Sequence, residues 1–114
     1  MTLRDIAKLI EGEVLCGEAR LDETIVFAFA SDLMSDVLTV RIDNFLLITG
    51  LANIQAIRTA EMSDVQYVLL VRGKKPTDEM IRLADDNGMV LIRTNFSLFK
   101  TSGLLYSAGI KPVY

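Results

Sequence analysis

The chain has 114 residues, of which 51% are hydrophobic and 24% charged, and a net charge of −3. A chain of this size and composition folds as one ordinary domain over a sizeable core, so residues 1–114 are expected to form a single domain. The acidic balance speaks against the broad basic face of a nucleic-acid binder, although local basic clusters exist, and the lack of histidine beside a lone Cys16 removes zinc sites, Cys-His nucleophiles and internal disulfides.

Residues 2–10 predict a short helix: Thr2 with Asp5 fits a capping box, and Ile6, Leu9 and Ile10 repeat at helical spacing before Gly12. Val14 and Leu15 make a brief strand, followed by a polar loop from Gly17 to Thr24. Residues 25–29 read as a strand apolar on both faces, ending at Ala30-Ser31-Asp32. A short helix over 33–38 takes Ser31 or Asp32 as its cap, and 39–43 is a link. The next strand, 44–48, runs into Thr49-Gly50. The helix over 53–62 then sets Ile54, Ile57 and Met62 on one side, with Gln55, Arg58, Thr59 and Glu61 mostly on the other.

Residues 67–71 are another wholly apolar strand, and 72–76 a turn. Thr77 caps the following helix, with Asp78 and Glu79 in its first turn, and Gly88 ends it. Residues 89–92 give the last strand. Arg93, Thr94 and Asn95 lead into a helix in which Leu98 pairs with Leu105 and Phe99 with Tyr106. The tail from Gly109, carrying Pro112, is expected to be irregular.

Strands apolar on both faces that alternate with helices indicate the α/β class, with a mainly parallel sheet covered on both sides. In such a sheet the strands' carboxyl ends share one edge, and ligands bind in the crevice there. Four groups of polar residues should meet on it, candidates for ligand binding: Ser31 with Asp32; Thr49 and Gly50 with Asn53; Arg72 with Lys74; and Arg93 and Thr94 with Asn95. A strand that stops at Thr-Gly leaves backbone N–H groups able to hold an anion. Arg72, Lys74, Lys75 and Arg93 make the edge locally basic, which suits a phosphate or carboxylate. The plainer reading is that Ser31, Asn53, Thr77 and Asn95 cap helices while the basic side chains are solvated.

Asp32 and Asp36 would share a helix face, but two carboxylates alone make a weak metal site, and no metal is expected. Leu33, Met34, Val37 and Leu38 crowd one short helix with apolar side chains, which points either to a subunit contact or to a helix buried on both sides. Cys16 is most simply a small buried hydrophobe. Tyr106 and Tyr114 could stack on a base, although packing against the core accounts for them more simply.

The order of segments, with Ser31-Asp32-Leu33-Met34-Ser35-Asp36-Val37-Leu38 and Leu46-Leu47-Ile48-Thr49-Gly50, resembles the DRTGG domain from Leu3 to about Gly109. The resemblance implies a three-layer α/β/α sandwich, usually dimeric, similar to the N-terminal domain of HPr kinase/phosphorylase. Members of that family stand alone, lie between paired CBS domains in regulated inorganic pyrophosphatases, or precede some phosphotransacetylases, in regulatory or assembly roles. Many continue after Thr-Gly with a second Gly and then Asp-Arg; here Leu51, Ala52 and Asn53 stand instead, removing a charge couple. There is no Gly-x-x-x-x-Gly-Lys-Ser/Thr loop, so Gly73-Lys74-Lys75 is a turn and no kinase activity carries over.

The expected function is a non-catalytic regulatory or assembly module without catalytic residues or cofactor. It would be a homodimer that senses a small anionic ligand such as a nucleotide, or docks on a larger enzyme, with no nucleic-acid or membrane partner. No apolar run approaches the roughly twenty residues of a bilayer span and the N-terminus lacks a signal-peptide layout, so the expected compartment is the cytoplasm. The alternatives are a phosphate- or acyl-transfer enzyme using Asp32, Thr49 and Arg72, and a purely structural dimerisation module.

Overall fold

Three apolar runs, Leu46–Thr49, Tyr67–Leu70 and Val90–Arg93, are the centre of the molecule because residues on both of their faces are buried, Arg93 alone being half-buried. The computed structural model describes residues 1–114. In chain order the elements are α1 (Leu3–Leu9), β1 (Glu13–Cys16), a 3-10 turn (Glu18–Arg20), β2 (Phe27–Ala30), α2 (Met34–Val37), β3 (Leu46–Thr49), α3 (Ile54–Met62), β4 (Tyr67–Leu70), α4 (Asp78–Asp86), β5 (Val90–Arg93), α5 (Leu98–Ser107) and β6 (Lys111–Pro112). They build one six-stranded sheet in the order β1-β5-β4-β3-β2-β6. Every neighbouring pair is parallel except β1 with β5.

Alternation along the central strands divides the core into two layers. Leu46, Ile48, Leu69 and Ile92 face α1 and α5, packing with Leu3, Ile6 and Leu105. Leu47, Val68, Leu70 and Leu91 face α3 and α4, packing with Ile57, Ala60, Met80 and Ala84. The result is a three-layer α/β/α sandwich. No helix is long and apolar enough to cross a membrane.

The caps follow the sequence in most places. Thr2 and Asp5 close a reciprocal capping box, and Asn53 and Thr77 accept from the backbone N–H groups of Ala56 and Met80. The last helix departs from expectation: Ser97, and not Asn95, caps α5 by accepting from Lys100 N. Neither Ser31 nor Asp32 caps α2, which begins after Leu33 without any side-chain cap. Ser31 Oγ instead bonds the backbone of Leu33, and Asp32 is drawn to another strand.

Other departures have packing causes. Strand β2 starts at Phe27 and is only half-buried, because its outer neighbour β6 is two residues long. Helix α3 keeps Ile54 and Ile57 inward and Gln55, Arg58 and Glu61 outward as expected, but it turns its small residues Ala56 and Ala60 to the sheet, which buries Thr59 and leaves Met62 exposed. The tail is not irregular throughout: Lys111 N donates to Val26 O, and Pro112, which has no N–H, sits where an edge strand tolerates it. Tyr106 and Tyr114 do not pack into the core but lie on the surface. Cys16 is buried and free, and burial pushes its thiol pKa up, the opposite of activation.

The amino ends of β4 and β5 are tied to the loop after β1. Arg20 gives Nε and a terminal nitrogen to the Glu23 carboxylate at 2.7 and 2.9 Å and a further bond to Gly88 O. The Tyr67 hydroxyl donates to the same carboxylate at 2.6 Å. Hydrogen bonds from Arg20 and Tyr67 hold the Glu23 carboxyl below its ordinary value of 4.5. A carboxyl whose pKa is lower in the folded chain contributes stability above its unfolded value, and that contribution disappears as pH falls through the folded value. Glu23→Gln should therefore lower stability by about 1 kcal/mol at neutral pH, after discounting for solvent screening. Thermal melts should show the gap to wild type present at neutral pH and closing as pH falls below the ordinary carboxyl value of 4.5 and through the lowered folded one.

Candidate functional site

Because β2, β3, β4 and β5 run the same way, their carboxyl ends do lie along one edge. On that edge the expected residues divide into three sets. Asp32, Thr49, Gly50 and Arg72 come together. Arg93 and Asn95 form a second group with the backbone of the β4–α4 turn. Ser31 and Asn53 serve their own local backbone, and Lys74 is exposed.

In the first group, Asp32 reaches from the end of β2 across to the end of β3. Its Oδ1 accepts from Gly50 N at 2.6 Å and from Thr49 Oγ1 at 3.1 Å, and its Oδ2 lies 3.5 Å from an Arg72 guanidinium nitrogen. That same nitrogen donates to Gly50 O at 3.3 Å. Thr49 is fully buried, and its Oγ1 also accepts from Leu51 N at 3.1 Å. Asp32 and Arg72 remain about half exposed, so their ion pair is weak and open to competition.

Local backbone explains how the arginine arrives. Arg72 has φ +64 and Gly73 φ +66, two successive left-handed residues at the end of β4. For a non-glycine residue that conformation is strained, on the order of 1 kcal/mol. It accompanies a guanidinium lying flat against Gly50: a Cβ built there would sit 2.6 Å from Arg72 Nε and 2.7 Å from Cζ. Sequence comparison suggested that replacing Asp-Arg by Ala52 and Asn53 removes a charge couple from this loop. Asp32 and Arg72, on other strands, bring one back.

The N–H at the Thr-Gly strand end is thus not free; it already holds an anion, and the anion is internal. None of the cavities in the molecule is lined by Asp32, Thr49 or Arg72.

The second group closes the place where topology puts a crevice. β2, β3 and β4 lead into helices on one face while β5 leads into α5 on the other, so the switch falls between β4 and β5. There Arg72 N donates to Phe96 O at 2.8 Å and Gly73 N to Thr94 O at 2.9 Å. Arg93 donates to the carbonyls of Gly73 and Lys74, to Asn95 Oδ1 and to Glu13 Oε1. Buried Thr94 donates to Ile10 O at 2.7 Å and accepts from Phe96 N. These bonds staple the two loops together.

The proposed subunit-contact residues divide as well. Val37 is in the core against α3 and β3, so it is not available to a partner, and Met34 packs beside it; Leu33 and Leu38 are exposed. Asp32 and Asp36 do not share a helix face, since Asp32 precedes α2. One feature had no signal in the sequence: an apolar cavity of about 210 Å³ between β2, β6 and α5. It exists because the tail returns as a strand, which its Gly and Pro residues concealed.

The DRTGG domain family matches residues 5–108. No curated protein is matched. Among solved structures, the CBS and DRTGG domains of the regulatory region of Clostridium perfringens pyrophosphatase, complexed with its activator diadenosine tetraphosphate, are similar with a TM-score of 0.73 at 20% identity. The match covers 98% of this chain and 48% of that one, so the chain spans about half the length of that structure. At this identity the likeness establishes the shared fold.

Proposed function

The chain belongs to the DRTGG domain family, and from that premise we propose that it is a non-catalytic regulatory module whose ligand is a small anion competing with Asp32. Residues 1–114 act as one domain in the cytoplasm, either self-associated or docked on a larger enzyme. One observation supports this above others: a carboxylate already occupies the backbone donor of Gly50 and touches Arg72, and both its partners are what a phosphate oxygen seeks. A nucleotide phosphate arriving there, assisted by exposed Lys74, would displace Asp32. The segment it leads into carries exposed Leu33 and Leu38, so ligand binding would re-present an apolar surface to a partner. Two discrete arrangements of one segment give the switch. The nucleotide activator of the structurally similar pyrophosphatase region makes nucleotides the first ligands to test.

Catalysis by Asp32, Thr49 and Arg72 draws support from their mutual hydrogen-bond reach, but the Asp32 carboxylate is already engaged by Gly50 N and Thr49 Oγ1 and is not a free base, which is why the switch is preferred.

The test is thermal unfolding with pyrophosphate, ATP and diadenosine tetraphosphate. Ligand at a hundred times its dissociation constant adds about 2.7 kcal/mol. Asp32→Ala should bind about tenfold more tightly than wild type, since the internal competitor is gone, and Arg72→Ala should lose the response. If neither wild type nor Asp32→Ala responds to any of the three, the anion switch is wrong.

A further inference from the structure

Strand geometry leaves a hydrogen-bond donor and an acceptor beside the 210 Å³ cavity between β2, β6 and α5. Ser31 N donates to Ile48 O at 3.0 Å, so Ser31 turns its backbone groups toward β3. Ala30, one residue earlier, turns its N–H and C=O the opposite way. β6 lies on that side, but its pairing ends with Pro112 opposite Ala28. The Ala30 N–H and C=O thus run past the end of their partner strand, side by side, on a residue that lines the cavity and is itself exposed.

Two aromatic rings stand at the same place. Tyr106 from α5 and Tyr114 from the segment after β6 both line the cavity, though they are 69% and 79% exposed. Tyr114 is held: its ring meets Phe29 edge-on at 5.9 Å, and its hydroxyl lies 3.3 Å from Thr39 Oγ1, which donates to Asp36 O. Ala28, Ile48 and Leu105 make the interior apolar, and Lys111 is the one charged side chain, so no carboxylate opposes an anionic ligand. The volume exceeds the roughly 150 Å³ that accepts benzene and falls short of the about 300 Å³ at which sites for larger ligands begin. One ring system enters, and whatever it is attached to stays outside. An aliphatic group would leave the Ala30 pair without partners, whereas a flat nitrogen heterocycle answers both groups and stacks on tyrosine.

Ala30 and Ile48 are register partners, and they stand two residues before Asp32 and Gly50 of the anion site. Two residues of extended strand are about 7 Å, a gap that a ribose bridges between base and phosphate. We propose that this cavity takes the base of a purine nucleotide, packed against Tyr106 and Tyr114 and hydrogen-bonded to the Ala30 backbone, while its phosphate reaches Gly50 N. The segment from Asp32 to Thr39 then meets the phosphate at one end and supports the Tyr114 wall at the other, so one ligand acts on both ends of the segment that switches.

The phosphate half rests on the anion reading of the proposed function; the base half rests on residues outside it, so the two fail separately. The test is an amide NMR titration of the full chain with adenosine, guanosine, pyrophosphate, ADP and GDP. A nucleoside should move the Ala30 signal and leave Gly50 in place, and pyrophosphate should do the reverse. The better of ADP and GDP should move both and bind at least about tenfold more tightly than pyrophosphate. Tyr106→Ala with Tyr114→Ala should remove about tenfold or more of that affinity, with pyrophosphate binding and the circular dichroism spectrum unchanged. An Ala30 signal unmoved by both nucleosides, diphosphates that bind no better than pyrophosphate, or affinity untouched by the tyrosine changes would overturn the base site and leave the anion switch standing. A Gly50 signal that ignores pyrophosphate while Ala30 answers a nucleoside would instead overturn the phosphate half and the anion switch with it.

Discussion

Gly17→Ala is expected to destabilise the chain by about 3–5 kcal/mol, a large fraction of what holds a small domain folded. Gly17 has φ +86, and an added Cβ would stand 2.7 Å from Val90 Cα and 2.8 Å from Met89 O. Both are backbone atoms at the start of β5, and β5 is clamped between β1 and β4, so they cannot swing away as a side chain would. The glycine follows the register slip between Val14 and Cys16 and lets β1 leave the sheet hard against β5. Gly88 provides the control. Its φ is +69 but nothing lies within 4 Å of its added Cβ, so Gly88→Ala should show only the left-handed penalty of about 1 kcal/mol. Urea unfolding of the two variants measures the difference. Equal losses would mean that the contact with β5 contributes nothing.

The same sheet explains which parts of the molecule could be read from the residues. Strands β3, β4 and β5 were legible because uninterrupted apolar runs have few other uses, and their shared direction followed from the helices between them. The caps at Thr2, Asn53 and Thr77 were legible because capping is local chemistry. Contact across the chain was legible only in part: the shared strand direction set Asp32, Thr49 and Arg72 on one edge, where they do meet, but not which donor each acceptor takes. Asp32 sits where a helix cap belongs, and nothing nearby indicates that its carboxylate prefers Gly50, eighteen residues on. The antiparallel direction of β1 is set by its partner β5 and not by its own four residues. Arg72 was read as a basic candidate on the rim, but nothing local indicated that its backbone is left-handed and its side chain lies across the neighbouring strand end. The edge was therefore foreseen as a basic rim with open donors, while the structure presents a closed ion pair that a ligand has to open. Met62 and Thr59 exchanged faces because Ala56 and Ala60 let α3 approach the sheet. Phe99 and Tyr106 were correctly set on one side of α5, but burial and exposure look alike for an aromatic pair until the sheet fixes the inner face.

Thr49→Val should cost about 3 kcal/mol in stability while making the chain more responsive to anions. Valine keeps the volume and the β-branch, so packing in the fully buried site changes little. The hydroxyl, however, both donates to Asp32 and accepts from Leu51 N. Losing a bond to a charged group is worth about 1.5–3 kcal/mol and leaving the part-buried Leu51 N–H without its partner about 1 kcal/mol; these overlap in part because the loop can relax. Thr49→Ser retains both bonds and should stay within about 1 kcal/mol of wild type. The ligand response separates a structural hydroxyl from one that takes part in the switch. With one of its two donors at β3 gone, Asp32 holds Gly50 less firmly, the open form becomes more populated, and apparent affinity for pyrophosphate or ATP should rise by up to about tenfold. Stability alone would fall in either case. A Thr49→Val chain that is less stable but binds anions no better than wild type would leave Thr49 as a core residue and break the connection between Asp32 and the ligand.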